Sequence, residues 1–221
     1  MFMRDNQLTY PIVLKPDFGL AGIGVSLLSC EKDMETAIST LHDDYLVQEY
    51  LSRPKELSVF YIKDPKEPIG KIWSITERIV VKKQKTLPKM IIPWNIVLNH
   101  DESFIIDPVL DKTFNAISDI HGFYFGRFDI RVKNIDDFVK TGKYFKILEV
   151  NVGAQTMALQ ALDPKYSFFQ KYAIFAKQIA MAFKISQENL EKKSLKGVSK
   201  KRRSVKEFLL MYVKILRKLK K

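Results

Sequence analysis

The chain has 221 residues, of which 46% are hydrophobic, with nine glycines and nine prolines. This is the composition of a globular protein with a sizeable core and excludes a disordered chain. A single cysteine, Cys30, excludes an internal disulfide framework. No uncharged run approaches the roughly 18–20 apolar residues that a membrane-spanning helix needs, so we expect a cytoplasmic protein.

The net positive charge of the chain lies in its C-terminal tail. Residues 192–221 contain 13 Lys or Arg and one acidic residue, so they hold the whole formal net charge of +12. Residues 192–203 are a charge run, and 204–221 carry apolar residues at helical spacing. This amphipathic tail is expected to dock on the protein, to lie on an anionic membrane surface or to meet an acidic partner. Nucleic acid is an unlikely partner, because basic and aromatic residues are not interleaved.

Short apolar runs and helical spacings alternate through the first part of the chain. Strands are predicted at 10–15, 25–28, 45–51 and 57–62, and a helix at 33–42. The first two strands flank a loop with three glycines, which favours a hairpin. Further on, residues 69–82 are predicted to form one or two strands. The sequence of 83–108 shows no periodicity from which a helix or strand can be predicted. Helices are predicted at 109–120 and 164–190.

Two later strands carry acidic and amide side chains at alternating positions. In the strand at 122–132, alternation places Arg127, Asp129 and Arg131 on the face opposite the apolar side chains. After a polar loop, the strand at 144–151 places Glu149 and Asn151 on one face. A hairpin of the two strands would hold all three side chains together, where two carboxylates repel unless a cation lies between them. All-oxygen ligands suit Mg2+, with Mn2+ as an alternative.

In their order and spacing, these elements resemble the ATP-grasp superfamily, and D-alanine–D-alanine ligases in particular, over residues 10–190. The resemblance implies an α+β ATP-grasp fold, in which two α+β lobes with antiparallel sheets grip ATP between them. It divides the chain into an N-terminal lobe at 1–56, a C-terminal lobe at 57–191 and the basic tail at 192–221.

The resemblance also implies which residues contact the nucleotide. In the family, a strand lysine contacts an ATP phosphate, a glycine loop closes over the phosphates, a hinge strand binds adenine, and an acidic residue binds the ribose hydroxyls. Glycines suit such a loop because backbone N–H groups can approach an anion without a Cβ in the way. The matching residues here are Lys15, Gly19, Gly22, Gly24, Gln48, Glu49, Leu51 and Glu56. A second phosphate-contacting residue is either Arg78 or Lys82.

Four further residues match the family's chemical centre. Asp129, Glu149 and Asn151 match its three Mg2+ ligands, and Arg127 matches an arginine that steadies charge on the transferring phosphoryl and the acyl phosphate. The implied reaction is phosphoryl transfer from ATP to a carboxylate, followed by attack of an amine or thiol acceptor. We therefore expect an ATP-dependent ligase with a carboxylate substrate and an amine acceptor.

One departure from the family leaves a second function open. Family members carry an additional domain before the lysine strand, whereas only residues 1–9 precede it here, so we expect that domain to be missing or to lie on another chain. The alternative to a ligase is therefore a non-catalytic or truncated nucleotide-binding module, whose basic tail binds a membrane surface or an acidic partner. In that case the cytoplasmic protein would be peripheral to the membrane.

Overall fold

The computed structural model describes residues 2–17, 24–41, 44–52, 55–82, 96–120, 122–152 and 159–191. Gly19, Gly22 and the tail at 192–221 lie outside the described residues. The described part of the chain is α+β, as predicted, with eight strands in two antiparallel sheets. None of its helices is long and apolar enough to cross a membrane.

The smaller sheet has three strands in the order β2-β1-β3, with both neighbours antiparallel to the central strand. The predicted pairing of the first two strands is confirmed. Its core consists of apolar side chains from the first two strands, Ile12, Leu14 and Leu28, with Met34 of a helix packed against them. The elements are α1 (Phe2–Asp5), β1 (Ile12–Pro16), β2 (Ser26–Leu28), α2 (Glu31–Ile38) and β3 (Tyr45–Glu49).

The larger sheet has five strands in the order β6-β5-β4-β7-β8, all antiparallel. Its central strands are long because β-branched and aromatic residues alternate with polar ones over eight or more positions. The strands are β4 (Lys55–Ile62), β5 (Lys71–Lys82), β6 (Ile96–Asp101), β7 (Phe125–Val132) and β8 (Phe145–Val152).

Helices cover both faces of this sheet. The helices α3 (Pro108–Ile117) and α4 (Ile135–Thr141) contribute Phe114 and Phe138 to the main core, whose other buried members include Leu57, Phe128 and Ile130. The opposite face is covered at one end by α5 (Phe168–Glu191), where Ile185 packs with Phe60 and Phe125. The other end of that face remains polar.

The chain divides into compact units of residues 1–185 and 186–221. Only residues 186–191 of the second unit are described. The expected boundary between lobes at 56 and 57 falls inside β4, the first strand of the larger sheet.

One local prediction is wrong, and a stretch that the sequence left unplaced contains regular structure. The connection between β7 and β8, predicted as a polar loop, contains α4, because Asn134 caps the helix by accepting from Asp137 N and Phe138 is buried in the core. The unplaced stretch 83–108 contains β6, a 3-10 turn at Ser103–Ile105 and the start of α3. The strand β6 was hard to find because Asn99 and Asp101 are buried polar residues, which apolar periodicity does not detect.

Candidate nucleotide and metal site

The polar end of the larger sheet is built from rows of side chains that face each other across four strands. Glu56 lies opposite Arg78 of β5 and Arg131 of β7, and two residues further along β4, Ser58 lies opposite Asp129. Directly opposed residues point to the same side of a sheet, while the intervening apolar residues face the core. The predicted split of β7 into a charged and an apolar face is confirmed.

Asp129 lies at the centre of this polar face and is only 2% exposed. Arg127 donates to both its carboxylate oxygens, from Nε to Oδ1 and from Nη2 to Oδ2, each at 2.9 Å. Ser58 Oγ donates to Oδ1 at 2.5 Å. Burial alone would raise the pKa of Asp129, but the hydrogen bonds and charge of Arg127, together with Ser58, outweigh it and lower the pKa. The buried carboxylate is therefore held in its ionised form.

The three predicted metal ligands meet at one point. Asp129 and Glu149 are direct partners across β7 and β8. Between them, Asn151 Nδ2 donates to Asp129 Oδ2 at 3.1 Å and to Glu149 Oε1 at 2.9 Å. The amide nitrogen of Asn151 thus donates to both carboxylates, which shows that their oxygens lie close together.

The converging groups fit a hard divalent cation. The two carboxylates supply oxygen donors, which Mg2+ prefers, and the amide of Asn151, whose Nδ2 faces them here, would complete an all-oxygen set if it turned its oxygen toward the ion. Within the described ranges, no group of three or more His, Cys, Asp or Glu side chains is placed to hold a metal ion. A metal at this position would therefore depend on Asn151 to complete the set of protein ligands.

Lys15 reaches this site from the smaller sheet. A β-bulge between Asp129 and Ile130 leaves Leu148 of β8 without a partner in the register, because Ile130 pairs with Ile147. Lys15 Nζ donates to the carbonyl of Leu148 at 3.3 Å. The bulge takes this carbonyl out of the ladder, and the ammonium group lies beside the residue that precedes Glu149.

The predicted hinge residues lie at the end of the smaller sheet. Gln48 and Glu49 belong to β3 and pair with Val13 and Ile12 of β1. Leu51 follows the strand, and its carbonyl accepts a hydrogen bond from Arg131 Nη1 at 2.7 Å. The loop glycine Gly24 has φ of +78°, a left-handed conformation that favours glycine at the entry to β2.

The predicted ribose-binding residue, Glu56, lies between two guanidinium groups. Its Oε1 accepts from Arg78 Nη1 at 2.7 Å and its Oε2 from Arg131 Nη2 at 3.3 Å. Arg78, a candidate for a phosphate contact, is thus engaged with Glu56, and the side chain of Lys82 lies outside the described residues. Sequence reasoning placed Arg131 on this face but gave it no role, and it did not identify Ser58, although its position two residues after Glu56 indicates the same face.

A second polar network lies on the same face at the β6 edge, and the sequence did not reveal it. Asp101 accepts hydrogen bonds from Gln160 Nε2 at 2.9 Å and from the hydroxyls of Tyr166 and Ser103. Burial, together with the hydrogen bond and charge of Asp101, raises the pKa of Tyr166 to about 12. The backbone N–H of Asp101 in turn donates to Asp163 Oδ2 at 2.6 Å. This network anchors the segment that follows β8 to the opposite edge of the sheet.

No family model and no curated protein matches the sequence. Among solved structures, the D-alanine–D-alanine ligase from Bacillus anthracis matches with a TM-score of 0.53 and 17% identity, over 89% of this chain and 60% of that chain. The same enzyme complexed with ATP matches with a TM-score of 0.51 and 14% identity, over 86% and 59%. A carboxyaminoimidazole ribonucleotide synthase from Aspergillus clavatus, complexed with ATP, matches with a TM-score of 0.51 and 12% identity, over 80% and 43%.

These enzymes share the ATP-grasp fold. At such identities the match concerns the fold, and the chain spans at most 60% of the length of the enzymes reported. The protein therefore has the ATP-grasp fold that its sequence resembles, and the predicted site residues that the structure describes lie in or next to strands of both sheets.

Proposed function

We propose that the chain binds ATP with Mg2+ and acts as an ATP-grasp ligase that joins a carboxylate to an amine or thiol through an acyl phosphate. The observation that carries the proposal is that Lys15 of the smaller sheet contacts the carbonyl of Leu148, the residue before Glu149, while Asn151 links Glu149 to Asp129 on the larger sheet. A lysine and a pair of carboxylates in this neighbourhood support a site for a phosphate chain with its cation. The division into lobes at 1–56 and 57–191 and a separate tail at 192–221 belongs to the same proposal.

Each residue has a part in this reaction. Lys15 binds a phosphate, the hinge backbone at 48–51 binds adenine, and Glu56 accepts hydrogen bonds from the ribose. The carboxylates and Asn151 would hold the Mg2+, which would supply positive charge to the phosphates during phosphoryl transfer. Arg127 keeps Asp129 ionised and oriented, and its positive charge would stabilise the transferring group.

The bond changes are those that the family resemblance implies. A substrate carboxylate oxygen attacks the γ-phosphorus and ADP leaves, which gives an acyl phosphate. The acceptor amine then attacks the acyl carbon, inorganic phosphate leaves, and the amine loses a proton. No nucleophile from the protein is needed, so the residues of this chain bind, orient and stabilise charge.

A nucleotide-binding module without turnover is the second candidate, because the chain matches at most 60% of the length of the ligases it resembles. The two candidates differ in one measurement. Release of ADP from ATP that depends on an added carboxylate and amine favours the ligase. Saturable ATP binding with no carboxylate-dependent ADP release favours the module.

The common premise, nucleotide binding, is tested by thermal unfolding with ATP and Mg2+. A ligand that binds only the native state adds about 2.7 kcal/mol at a hundred times its Kd. For a chain of this size that corresponds to a rise in melting temperature of roughly 5–10 °C. Lys15→Met should lose most of this rise, whereas Lys143→Met, at an exposed lysine outside the site, should keep it. No rise in the unmodified protein at millimolar ATP would refute nucleotide binding.

A further inference from the structure

The guanidinium of Arg131 contacts two parts of the proposed nucleotide site that are both far from Arg131 in sequence. Its Nη1 donates to the carbonyl of Leu51 at 2.7 Å, across 80 positions of the chain. Its Nη2 donates to Glu56 Oε2 at 3.3 Å, across 75 positions. One side chain of the larger sheet thus contacts both the end of the hinge and the acidic residue at the second position of β4.

The arrangement requires an arginine. A guanidinium is a planar fork whose two terminal nitrogens donate in fixed directions, whereas a lysine ammonium is a single point charge on a flexible stem. The side chain of Arg131 is 29% exposed and that of Glu56 is 23% exposed, so water competes only partly for these contacts. Arg131 Nε is buried and has no hydrogen-bond partner among the described residues, so the described contacts of the guanidinium are directed to the hinge and to Glu56.

We propose that Arg131 is a positioning residue for the adenosine end of the nucleotide, because it fixes the hinge carbonyl of Leu51 and the carboxylate of Glu56 relative to each other. The inference rests on the proposed function, in which the hinge binds adenine and Glu56 binds the ribose. Arg131 acts through these two groups and holds them before the ligand arrives, so that binding does not have to order them.

The role differs from that of Arg78, which offers a matched control. Arg78 Nη1 donates to the other oxygen of Glu56 at 2.7 Å, and its side chain is 32% exposed, close to the exposure of Arg131. Arg78 thus supports Glu56 from β5, whereas Arg131 supports both Glu56 and the hinge from β7. Loss of Arg78 should therefore disturb one recognition element, and loss of Arg131 should disturb two.

The test measures the affinities of ATP and of inorganic tripolyphosphate, both with Mg2+, by calorimetry. For Arg131→Met we expect the Kd of ATP to rise about tenfold or more, because two charge-assisted hydrogen bonds are lost. The Kd of tripolyphosphate should change less than about twofold, since the phosphate contacts of Lys15 and the metal ligands are untouched. Arg78→Met should weaken ATP binding by a smaller factor than Arg131→Met.

A merely structural role gives a different pattern. In that case Arg131→Met would weaken ATP and tripolyphosphate equally and lower the melting temperature, which overturns the proposal. Equal losses of ATP affinity in Arg131→Met and Arg78→Met also overturn it, because the effect would then run through Glu56 alone.

If Arg131→Met does not fold, Arg131→Lys is measured in its place, because it keeps the positive charge. It should bind ATP more weakly than the unmodified protein, with its tripolyphosphate affinity and melting temperature close to those of the unmodified protein. If Arg131→Lys binds ATP as tightly as the unmodified protein does, the two hydrogen bonds of the Arg131 guanidinium do not position the hinge and Glu56 for ATP. If the unmodified protein binds no nucleotide, the proposed function and this inference both fall. If it binds ATP and the Arg131 variants bind it equally well, only the inference falls.

Discussion

Removal of the Ser58 hydroxyl should destabilise the fold through a single buried hydrogen bond. Ser58 and Asp129 are each 2% exposed, and the hydroxyl donates to Oδ1 at 2.5 Å. A hydrogen bond to a charged group contributes about 1.5–3 kcal/mol, and Ser58→Ala leaves part of a buried carboxylate unsatisfied. We therefore expect the free energy of unfolding to fall by about 2 kcal/mol, and the melting temperature by roughly 4–8 °C.

The neighbouring strand β5 contains a matched control. Ser74 of β5 is 1% exposed, and its hydroxyl has no hydrogen-bond partner among the described residues. Ser74→Ala removes the same atom from the same sheet but breaks no hydrogen bond, so its free energy of unfolding should stay within about 0.5 kcal/mol of the unmodified protein. Urea unfolding of the three proteins measures the difference. Equal losses in the two variants would show that the Ser58 hydrogen bond does not stabilise the fold.

The loss in Ser58→Ala should also depend on pH. The folded pKa of Asp129 lies below its unfolded value of about 3.9, and Ser58 contributes to lowering it. A lowered carboxylate pKa contributes stability that is present above the unfolded pKa and is lost as the pH falls through the folded pKa. The gap in free energy of unfolding between the unmodified protein and Ser58→Ala should therefore be largest at pH 7 and shrink below about pH 4. A gap that stays constant down to the pH at which the unmodified protein itself unfolds would mean that the hydroxyl does not act on the ionised carboxylate.

Two further predictions concern the metal ligands and the tail. Glu149→Gln should leave the melting temperature unchanged or slightly higher, because it relieves repulsion with Asp129. The same variant should bind ATP more weakly in the presence of Mg2+. If the variant folds and its ATP binding depends on Mg2+ as in the unmodified protein, Glu149 has a structural role. A chain that ends at Glu191 loses the whole net charge of +12 and should keep its ATP affinity but lose salt-sensitive binding to anionic vesicles. A joint fall in melting temperature and ATP affinity on this truncation would refute the separability of tail and site.

The parts of the site that the sequence predicted depend on short-range periodicity. Strand alternation places Arg127 and Asp129 on one face of β7 and Glu149 and Asn151 on one face of β8, and the two strands pair as predicted. A period of two along each strand, together with antiparallel pairing, was enough to predict this convergence. The bulge at Leu148 was not predictable, because it depends on how β7 and β8 pair and not on the residue itself.

The parts that were missed depend on contacts between distant segments. Asp101 and Tyr166 are 65 positions apart and Arg131 and Leu51 are 80 apart, so no local pattern in either segment indicates the partner. Both links join an element of the larger sheet to a segment outside it. Polar contacts of this kind follow from the tertiary arrangement, whereas apolar periodicity reports only which face of an element is buried.

The charges of the described site suit a nucleotide that arrives with its metal. Two partly exposed arginines pair with Glu56, Arg127 pairs with Asp129, and Glu149, a proposed metal ligand, follows the residue whose carbonyl Lys15 contacts. The cluster then has one positive charge in excess, which attracts the net negative charge of magnesium-bound ATP, whereas free Mg2+ gains less from it. We therefore expect Mg2+ to bind weakly in the absence of ATP and tightly in its presence, because the phosphates supply negative charge that attracts Mg2+ and Mg2+ offsets the negative charge of the phosphates.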